Sequence, residues 1–321
     1  MPSWGDLLKE IQAEIAAKSP APFDTIRRKY LLDLHNHTGR NVVLYATKWV
    51  QPSSVPPEMV MIIDEDVSGF MEALYGLKGD TLDLIIHSPG GSLESAEAIV
   101  TYLRSKFSHI RVFVPYAAMS AATMLCCAAN EIIMGKHSFL GPTDPQLILP
   151  SPNGTRSVAM QAILEEFRSI QNECATDPKK ISSWLPILNQ YYPGLLQQCD
   201  NATKLGRQLV ADWVEKYMFG GTDRPKAEAI ADFLCKHNIH KSHARHIGIA
   251  ELKKLGLKVL PLEADQVLQE KVLTVYHATM HTFMATAAAK IVENHEGRAF
   301  LKMMQVHPIL VAPPPPSGPK P

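Results

Sequence analysis

Two short runs of this 321-residue chain combine residue types that could supply a nucleophile and a cradle for negative charge. Residues 87–92 read His-Ser-Pro-Gly-Gly-Ser, and residues 118–123 read Ala-Met-Ser-Ala-Ala-Thr. Because glycine has no Cβ, backbone N–H groups beside it can approach a ligand oxygen, and such groups stabilise the oxyanion of acyl transfer. We therefore expect Ser120 to be a nucleophile that faces an oxyanion hole. The expected donors to that hole are the N–H groups of Gly90, Gly91 and Ala121.

Both runs lie where a predicted strand meets a predicted helix. The apolar run 82–86 predicts a buried parallel strand, and a helical period begins at Leu93. Residues 109–115 and 120–129 repeat this design, with a second helix of small and apolar residues that suits burial. Taken singly, Ser120 could be an ordinary helix N-cap and the two glycines a plain turn. Since neighbouring parallel strands end at the same edge of a sheet, we expect the two runs to converge there.

The rest of the chain first alternates strands with helices and then becomes helical. Apolar runs at 42–45 and 59–63 predict further strands, and a helical pattern follows at 64–77. This alternation favours repeated βαβ units and a mainly parallel sheet, which is the α/β class. After Gln146 we expect a largely helical arm. Its predicted helices are 158–173, 201–219 and 223–237.

Changes in composition divide the chain into four predicted parts. Residues 1–38 are expected to form an N-terminal helix over 1–20 and a connector over 21–38. Residues 39–262 form the main α/β domain. Residues 263–307 form a helical extension rich in Met and Ala, and the proline-rich tail 308–321 is expected to be disordered.

Composition argues against a nucleic-acid partner, a secreted protein and a membrane-spanning protein. Lys plus Arg equal Asp plus Glu at 32 each, so no basic field would attract nucleic acid. The five cysteines lack a Cys-x-x-Cys spacing and are expected to be reduced core residues. The N-terminus has early acids, unlike a signal peptide, and no apolar run reaches the roughly 18 residues of a membrane span. We expect a cytoplasmic protein, with peripheral membrane contact through the first helix as the alternative.

Residues 83–146 carry four successive motifs: Ser-Pro-Gly-Gly, Met-Ser-Ala-Ala-Thr, Ala-Asn-Glu-Ile-Ile-Met and Leu-Gly-Pro-Thr-Asp-Pro-Gln. Together with segments 226–231, 242–243 and 249–257, they make residues 35–262 resemble the serine dehydrogenase proteinase family. This family is related to Clp protease and signal peptide peptidase A in the Clp/crotonase superfamily. The resemblance implies a Clp/crotonase-like spiral of ββα (βαβ) units with a mainly parallel sheet, a serine nucleophile that cleaves peptide bonds, and a homo-oligomer.

Cofactor chemistry has no support in the sequence. Nothing resembles a pyridoxal-phosphate lysine site or a dinucleotide Gly-x-Gly-x-x-Gly fingerprint, despite the word dehydrogenase in the family name. We therefore expect no cofactor and no metal.

A serine hydroxyl needs a base, and the base needs a third group to orient it. The family order is Ser, Asp, His, and its motifs imply Asp144 as the orienting carboxylate and His243 as the base. Clp proteases instead place a histidine about two dozen residues after the serine, where this chain has Asp144. Taken alone, Asp144 could equally be a loop residue beside Pro145.

Two other histidines remain candidates for the base. Residues 237–246 contain four histidines, which alone would suit a solvated helix face or an adventitious metal site. Counted back from Gly256-Leu257, the histidine of the family falls on His243. The residues that follow His243 depart from the family pattern, so His246 stays an alternative, as does His137. A Ser-Lys dyad is disfavoured, because residues 155–173 hold arginines and no lysine, and arginine does not act as a base at neutral pH.

The sequence therefore predicts a serine peptidase that acts on a peptide or protein substrate. A crotonase-type acyl-CoA enzyme is one alternative, because it uses the same oxyanion geometry, although it would usually carry an acidic catalytic residue. A non-catalytic assembly or scaffold module is the other, and the surroundings of His243 and the proline-rich tail favour it. Labelling of Ser120 by a fluorophosphonate would distinguish the peptidase from both alternatives.

Overall fold

The computed structural model describes residues 4–51, 55–151 and 154–304, and helices and strands alternate along them. The α-helices are α1 (Trp4–Ala16), α2 (Pro22–Thr38), α3 (Pro57–Val60), α4 (Glu65–Leu74), α5 (Leu93–Lys106), α6 (Ala121–Cys127), α7 (Met160–Thr176), α8 (Ile181–Leu188), α9 (Leu195–Trp213), α10 (Arg224–Cys235), α11 (His237–His240), α12 (Ile249–Leu255) and α13 (Gln266–Ala285). The strands are β1 (Asn41–Thr47), β2 (Thr81–His87), β3 (His109–Val114), β4 (Ala117–Ala118), β5 (Glu131–Met134), β6 (Phe139–Leu140), β7 (Gln146–Ser151), β8 (Gly154–Ala159), β9 (Ile247–Gly248), β10 (Val259–Pro261), β11 (Ala288–Asn294) and β12 (Ala299–Met303). Short 3₁₀ turns occupy Pro178–Lys180 and Leu262–Ala264, and a π-helical turn, Val214–Met218, follows α9.

A seven-stranded sheet has the order β10-β5-β3-β2-β1-β11-β12. The first five strands are mutually parallel, whereas β11 pairs antiparallel with β1, and β12 pairs antiparallel with β11. The parallel strands are short apolar runs that are largely buried, as expected where helices cover both faces of a sheet. The prediction of an α/β fold with a mainly parallel sheet is confirmed.

Each face of the central sheet has its own core, because successive strand residues point to opposite faces. Leu84 and Ile86 of β2 pack in one core with side chains of α5, α6, α9 and α10. Ile85, which lies between them, packs on the other face with side chains of α2 and α13. The loops that follow β2 and β3 leave at the carboxyl edge of the sheet, where open α/β sheets place their ligands.

A small sheet, β4-β6-β9, brings together three predicted site residues that are distant in sequence. Strands β4 and β6 are parallel, and β9 is antiparallel to β6. The end of β4, the end of β6 and the start of β9 therefore lie at the same edge. Ser120 follows β4, Asp144 follows β6, and His243 precedes β9.

Two predictions near the N-terminus differ from the structure. Residues 21–38, expected to be a connector, form helix α2, which begins with Pro22 at a first-turn position that its fixed φ suits. The left-handed Gly39 ends that helix. The prediction of a strand at 59–63 is also wrong. Helix α3 ends at Val60, and a single β-bridge joins Ile62 to Gly91. The apolar run 59–63 therefore packs against the glycine loop and forms no ladder of hydrogen bonds with a strand of the sheet.

The C-terminal part is less helical than predicted. Helix α13 ends at Ala285, and within the stretch predicted to be helical Ala288–Asn294 and Ala299–Met303 form strands β11 and β12. The free edge of β1 offers unpaired backbone groups, and pairing with them outweighs the weak strand propensity of the Ala-Lys sequence in β11.

The helical arm is present, with helices α7, α9 and α10 on the three predicted segments. The hairpin β7–β8 that precedes it was not predicted. The proline-rich tail 308–321 lies outside the described residues. Within the described ranges, no helix is both long and apolar enough to cross a membrane.

Candidate active site

Ser120 lies in the turn between β4 and α6, in a backbone conformation that L-residues rarely adopt. Its φ is 51° and its ψ is −122°. Residues held in such sparsely populated regions cost about 1–3 kcal/mol each, and they cluster at active sites and ligand clamps. The hydroxyl of Ser120 makes no capping hydrogen bond to α6. The ordinary N-cap role is therefore not realised, and the side chain is left available to a reactant.

Gly90 can lie against Ser120, and Gly91 against Ile62, only because neither residue has a side chain. A Cβ on Gly90, whose φ is +91°, would lie 2.4 Å from the carbonyl oxygen of Met119 and 2.7 Å from the Cβ of Ser120. A Cβ on Gly91 would lie 2.3 Å from the carbonyl oxygen of Ile62. All three distances are shorter than a real Cβ atom shows, so the plain-turn interpretation does not account for the two glycines.

Of the three backbone N–H groups expected to face the oxyanion, one is already bonded and two have no acceptor among the described residues. The N–H of Gly90 donates to Ser88 Oγ at 3.1 Å, so it is already used. The N–H groups of Gly91 and Ala121 have no acceptor among the described residues. Both of these residues line the cavity that contains Ser120. Two of the three expected donors are thus available, and Gly90 instead serves to shape the loop.

Asp144 is a buried carboxylate with three donors. Its side chain is 1% exposed. Oδ1 accepts from His243 Nδ1 at 2.7 Å, and Oδ2 accepts from His237 Nδ1 at 2.9 Å and from Gln146 Nε2 at 2.8 Å. An ionised carboxylate can only accept, so each imidazole donates its Nδ1–H and keeps Nε2 as its basic nitrogen.

His243 is the histidine that reaches both sides of the predicted constellation. Through Nδ1 it contacts Asp144, and its ring lines the same cavity as Ser120, Gly91 and Ala121. That cavity has a volume of about 360 Å³. The arrangement places an imidazole that contacts a buried carboxylate among the residues that line the cavity of Ser120, which is the relation that acyl transfer by a serine would use.

The two competing histidines, His246 and His137, are engaged elsewhere, and His87 beside the glycine loop is buried. The ring of His246 stacks on Phe139, with centroids 3.5 Å apart. His137 Nε2 lies 2.9 Å from the carbonyl oxygen of Pro115. His87 is fully buried beside the rings of Trp49 and other aromatic residues, and this burial lowers its pKa to about 3. The structure therefore provides no contact between Asp144 and His246, His137 or His87 within the described residues.

His237 is the site residue that sequence reasoning missed. It begins α11, and its ring shares with His243 the groove next to the cavity. The only signal in the sequence was the crowding of four histidines in residues 237–246, which does not reveal that two of them contact one carboxylate. Nor do three or more His, Cys, Asp or Glu side chains of the described chain gather in a way that could hold a metal ion.

If Ser120, Asp144 and His243 together perform acyl transfer, we expect His237→Phe to lower kcat about 10-fold while KM stays within about 2-fold. The reason is that one hydrogen bond to the Asp144 carboxylate is lost and no residue that lines the cavity changes. Steady-state kinetics on a peptide substrate measure this. His246→Phe, which keeps the stack on Phe139, is the matched control and should retain wild-type kcat. Equal kcat in both variants would leave His237 without a part in the site.

Residues 55–165 match the family described as ClpP-like SDH-type serine proteinase. This segment contains Gly91, Ser120 and Asp144, whereas His243 lies beyond it. The resemblance to the serine dehydrogenase proteinase family is thus confirmed for this part of the chain.

Two curated relatives come from Methanocaldococcus jannaschii, and both are uncharacterized proteins. One is 34% identical over 136 residues, which cover 41% of this chain and 47% of the relative. The other is 42% identical over 66 residues, which cover 21% of this chain and 23% of the relative. The chain thus spans about half or less of the length of these relatives.

Two proteases are among the solved structures that are similar to this chain. The 1510-N membrane-bound stomatin-specific protease is 12% identical, with 62% of this chain and 74% of that chain covered and a TM-score of 0.38. ClpP1 from Listeria monocytogenes is 14% identical, with 75% and 98% covered and a TM-score of 0.35.

Proposed function

We propose that this protein is a serine peptidase in which Ser120 is the nucleophile, His243 the base and Asp144 the residue that orients the base. The observation that carries the proposal is that the ring of His243 lines the cavity of Ser120 while its Nδ1 lies 2.7 Å from the buried Oδ1 of Asp144. The match of residues 55–165 to a serine proteinase family supports the same chemistry.

In the proposed reaction, Ser120 Oγ attacks the carbonyl carbon of a peptide bond as His243 Nε2 takes the hydroxyl proton. The tetrahedral oxyanion accepts hydrogen bonds from the N–H groups of Gly91 and Ala121. The protonated His243 then gives its proton to the leaving amine, and an acyl group remains on Ser120. Water, deprotonated by His243, releases the acyl group and restores the serine. Throughout, the carboxylate of Asp144 stabilises the imidazolium and holds its tautomer.

The lining of the cavity supports a substrate with an apolar side chain next to the reacting bond. Most of its side chains are apolar, including Met61, Leu93, Met124, Met160 and Leu205. Burial of an aliphatic or aromatic side chain against such residues contributes about 1.5–3 kcal/mol relative to exposure. We therefore propose peptides, or unfolded segments of proteins, that carry an apolar residue at this position.

Incubation with an unstructured protein such as casein, followed by mass spectrometry of the new termini, tests the proposed function. We expect cleavage after apolar residues, and none with the Ser120→Ala variant. Acyl-CoA turnover without cleavage of any peptide would instead support a crotonase-type enzyme. Absence of both reactions would support a non-catalytic module.

We expect Gly91→Val to lower kcat by about 10²-fold or more, the loss usually seen when one oxyanion donor is removed. The reason is steric, because a Cβ at this position would lie within 2.3 to 2.8 Å of backbone atoms of Ile62 and would push the donor away. Steady-state kinetics together with a thermal melt separate this loss from unfolding. Wild-type kinetics in a folded Gly91→Val variant would remove Gly91 from the oxyanion hole.

We further propose a homo-oligomer, on the basis of the family resemblance. Light scattering coupled to size-exclusion chromatography would give the mass of the particle, and a mass equal to one 35.5-kDa chain would contradict the proposal.

A further inference from the structure

We propose that the buried pair of Lys290 and Asp66 positions the oxyanion loop, so that strand β11, near the end of the chain, is part of the catalytic unit. Lys290 and Asp66 are therefore positioning residues and do not touch the substrate. The inference rests on the proposed function, because it takes Gly91 as an oxyanion donor. Lys290 lies well outside the segment 55–165 that matches the proteinase family.

The first step is the contact between the oxyanion loop and the segment 61–63. The N–H of Ile62 donates to the carbonyl oxygen of Gly90 at 2.7 Å, and the N–H of Ser92 donates to the carbonyl oxygen of Ile62 at 2.9 Å. These two bonds flank Gly91 on both sides. The approach of Gly91 to Ile62 leaves no room for a Cβ. The position of the Gly91 N–H therefore follows the position of the backbone of Ile62.

The second step is that Lys290 and Asp66 hold the residues on either side of Ile62. Lys290 Nζ donates to the carbonyl oxygen of Met61 at 2.8 Å, and the N–H of Ile63 donates to Asp66 Oδ2 at 3.0 Å. Lys290 Nζ also contacts Asp66 Oδ1 at 2.6 Å and Oδ2 at 2.8 Å. The hydroxyl of Tyr45 donates to Asp66 Oδ2 at 2.8 Å and completes the group.

The third step concerns rigidity. The segment 61–63 belongs to no strand or helix, so a ladder of backbone bonds does not fix its path. The side chains of Lys290, Asp66 and Tyr45 are all fully buried. In a water-excluded site, charge-assisted hydrogen bonds are strong, and a broken one is not replaced by water. The buried pair is therefore suited to fix the backbone at Met61 and Ile63, and through them the loop at Gly91.

Strand β11 supplies a matched control for the experiment. Glu293, three residues after Lys290, forms a buried ion pair with Arg27, and both side chains are 0% exposed. Among the described residues, Arg27 and Glu293 make no hydrogen bond to segment 61–63. A variant of this second pair perturbs the same strand and a comparable buried charge, but not the oxyanion loop.

The test compares the double variant Lys290→Met/Asp66→Asn with the control Arg27→Met/Glu293→Gln. Lys290→Met/Asp66→Asn removes both members of a charge pair, so neither is left buried without its partner. The control likewise removes both buried members of its pair. The other partners of that pair, Asp24 and Arg28, have side chains that are 26% and 40% exposed, so water can solvate their charges. For Lys290→Met/Asp66→Asn we expect kcat on a peptide substrate to fall about 10²-fold with KM within about 3-fold, because small misplacements of catalytic groups cost that much. The control should keep wild-type kcat below its melting temperature. Equal losses of kcat in the two variants would overturn the proposal.

Amide hydrogen exchange provides a readout that needs no activity. In Lys290→Met/Asp66→Asn, the N–H groups of Ile62 and Ser92 should exchange faster than in the wild type, and in the control they should not. Unchanged exchange at both positions would overturn the proposal, even if the wild type cleaves peptides. If the wild type cleaves nothing but exchange responds as expected, the proposed function fails and the coupling of Lys290 to the loop stands.

Should the double variant not fold, Tyr45→Phe is measured in the same way, because it removes only one hydroxyl bonded to Asp66. Faster exchange at Ile62 and a fall in kcat of about 3-fold would support the proposal, in keeping with the loss of one hydrogen bond. Wild-type exchange and wild-type kcat in Tyr45→Phe would contradict it.

Discussion

Replacement of Ser120 by alanine is expected to lower kcat by about 10⁴- to 10⁶-fold, the range found when the nucleophile of a serine peptidase is removed. No other hydroxyl occupies its place in the turn between β4 and α6, so the acyl intermediate does not form. Stability should change little, because the hydroxyl of Ser120 makes no capping hydrogen bond that alanine would lose. Single-turnover kinetics on a peptide substrate, with a thermal melt of the same sample, measure both quantities.

Ser138→Ala is the control for this prediction. Its hydroxyl accepts the N–H of Gly135 at 3.1 Å and is buried outside the cavity. We expect it to lose about 1 kcal/mol of stability with kcat near the wild-type value, the opposite of what we expect for Ser120→Ala. Residual peptidase activity above about 1% of wild type in Ser120→Ala would assign the chemistry to another residue.

His243→Ala is expected to be as damaging to kcat as Ser120→Ala, and the double variant should be no worse than either single variant. Members of a triad act as a unit, so their losses do not add. The structural basis is that His243 contacts Asp144 and lines the cavity of Ser120. Kinetics of the two single variants and the double variant, measured on the same substrate, form a double-mutant cycle.

His246→Ala and His137→Ala complete that experiment. His246 stacks on Phe139, and His137 bonds to the backbone at Pro115, so both variants should retain kcat within a few-fold of wild type. Loss of activity in either variant, together with an active His243→Ala, would require the triad to be redrawn around the other histidine.

The strand-turn-helix units around Ser120 and Gly91 were predictable because their signals are local. A buried strand, a glycine turn and a small-residue helix occur within short windows, and each has its own residue preferences. The positive φ of Ser120 could not be predicted, because serine rarely adopts it and no local residue pattern signals it.

Asp144 and His243 required the family resemblance, since 99 residues separate them and no local pattern joins them. The antiparallel pairing of β9 with β6 is what brings them together. His237 reaches Asp144 from the end of α10, where the N–H of Thr143 donates to the carbonyl oxygen of Leu234 at 2.8 Å. Nothing in the order of the four histidines distinguishes His237 from His240.

Lys290 and the strand that bears it were missed for a different reason. The sequence Ala-Ala-Lys-Ile-Val-Glu-Asn has the composition of a helix, and only the free edge of β1 makes it a strand. A lysine in such a pattern is expected to be on a solvated face, yet here it is fully buried against Asp66. No local sequence pattern predicts an ion pair between residues as far apart as Lys290 and Asp66.

Covalent labelling with a fluorophosphonate tests the central claim most directly. The probe reacts with a serine hydroxyl that a base has activated, so intact-mass spectrometry reports whether the site is assembled, and peptide mapping reports where. We expect a single phosphonyl group per chain on Ser120 Oγ, no labelling of Ser120→Ala, and strongly slowed labelling of His243→Ala. A folded wild-type protein that takes up no probe, or that is modified at a residue other than Ser120, would contradict the account.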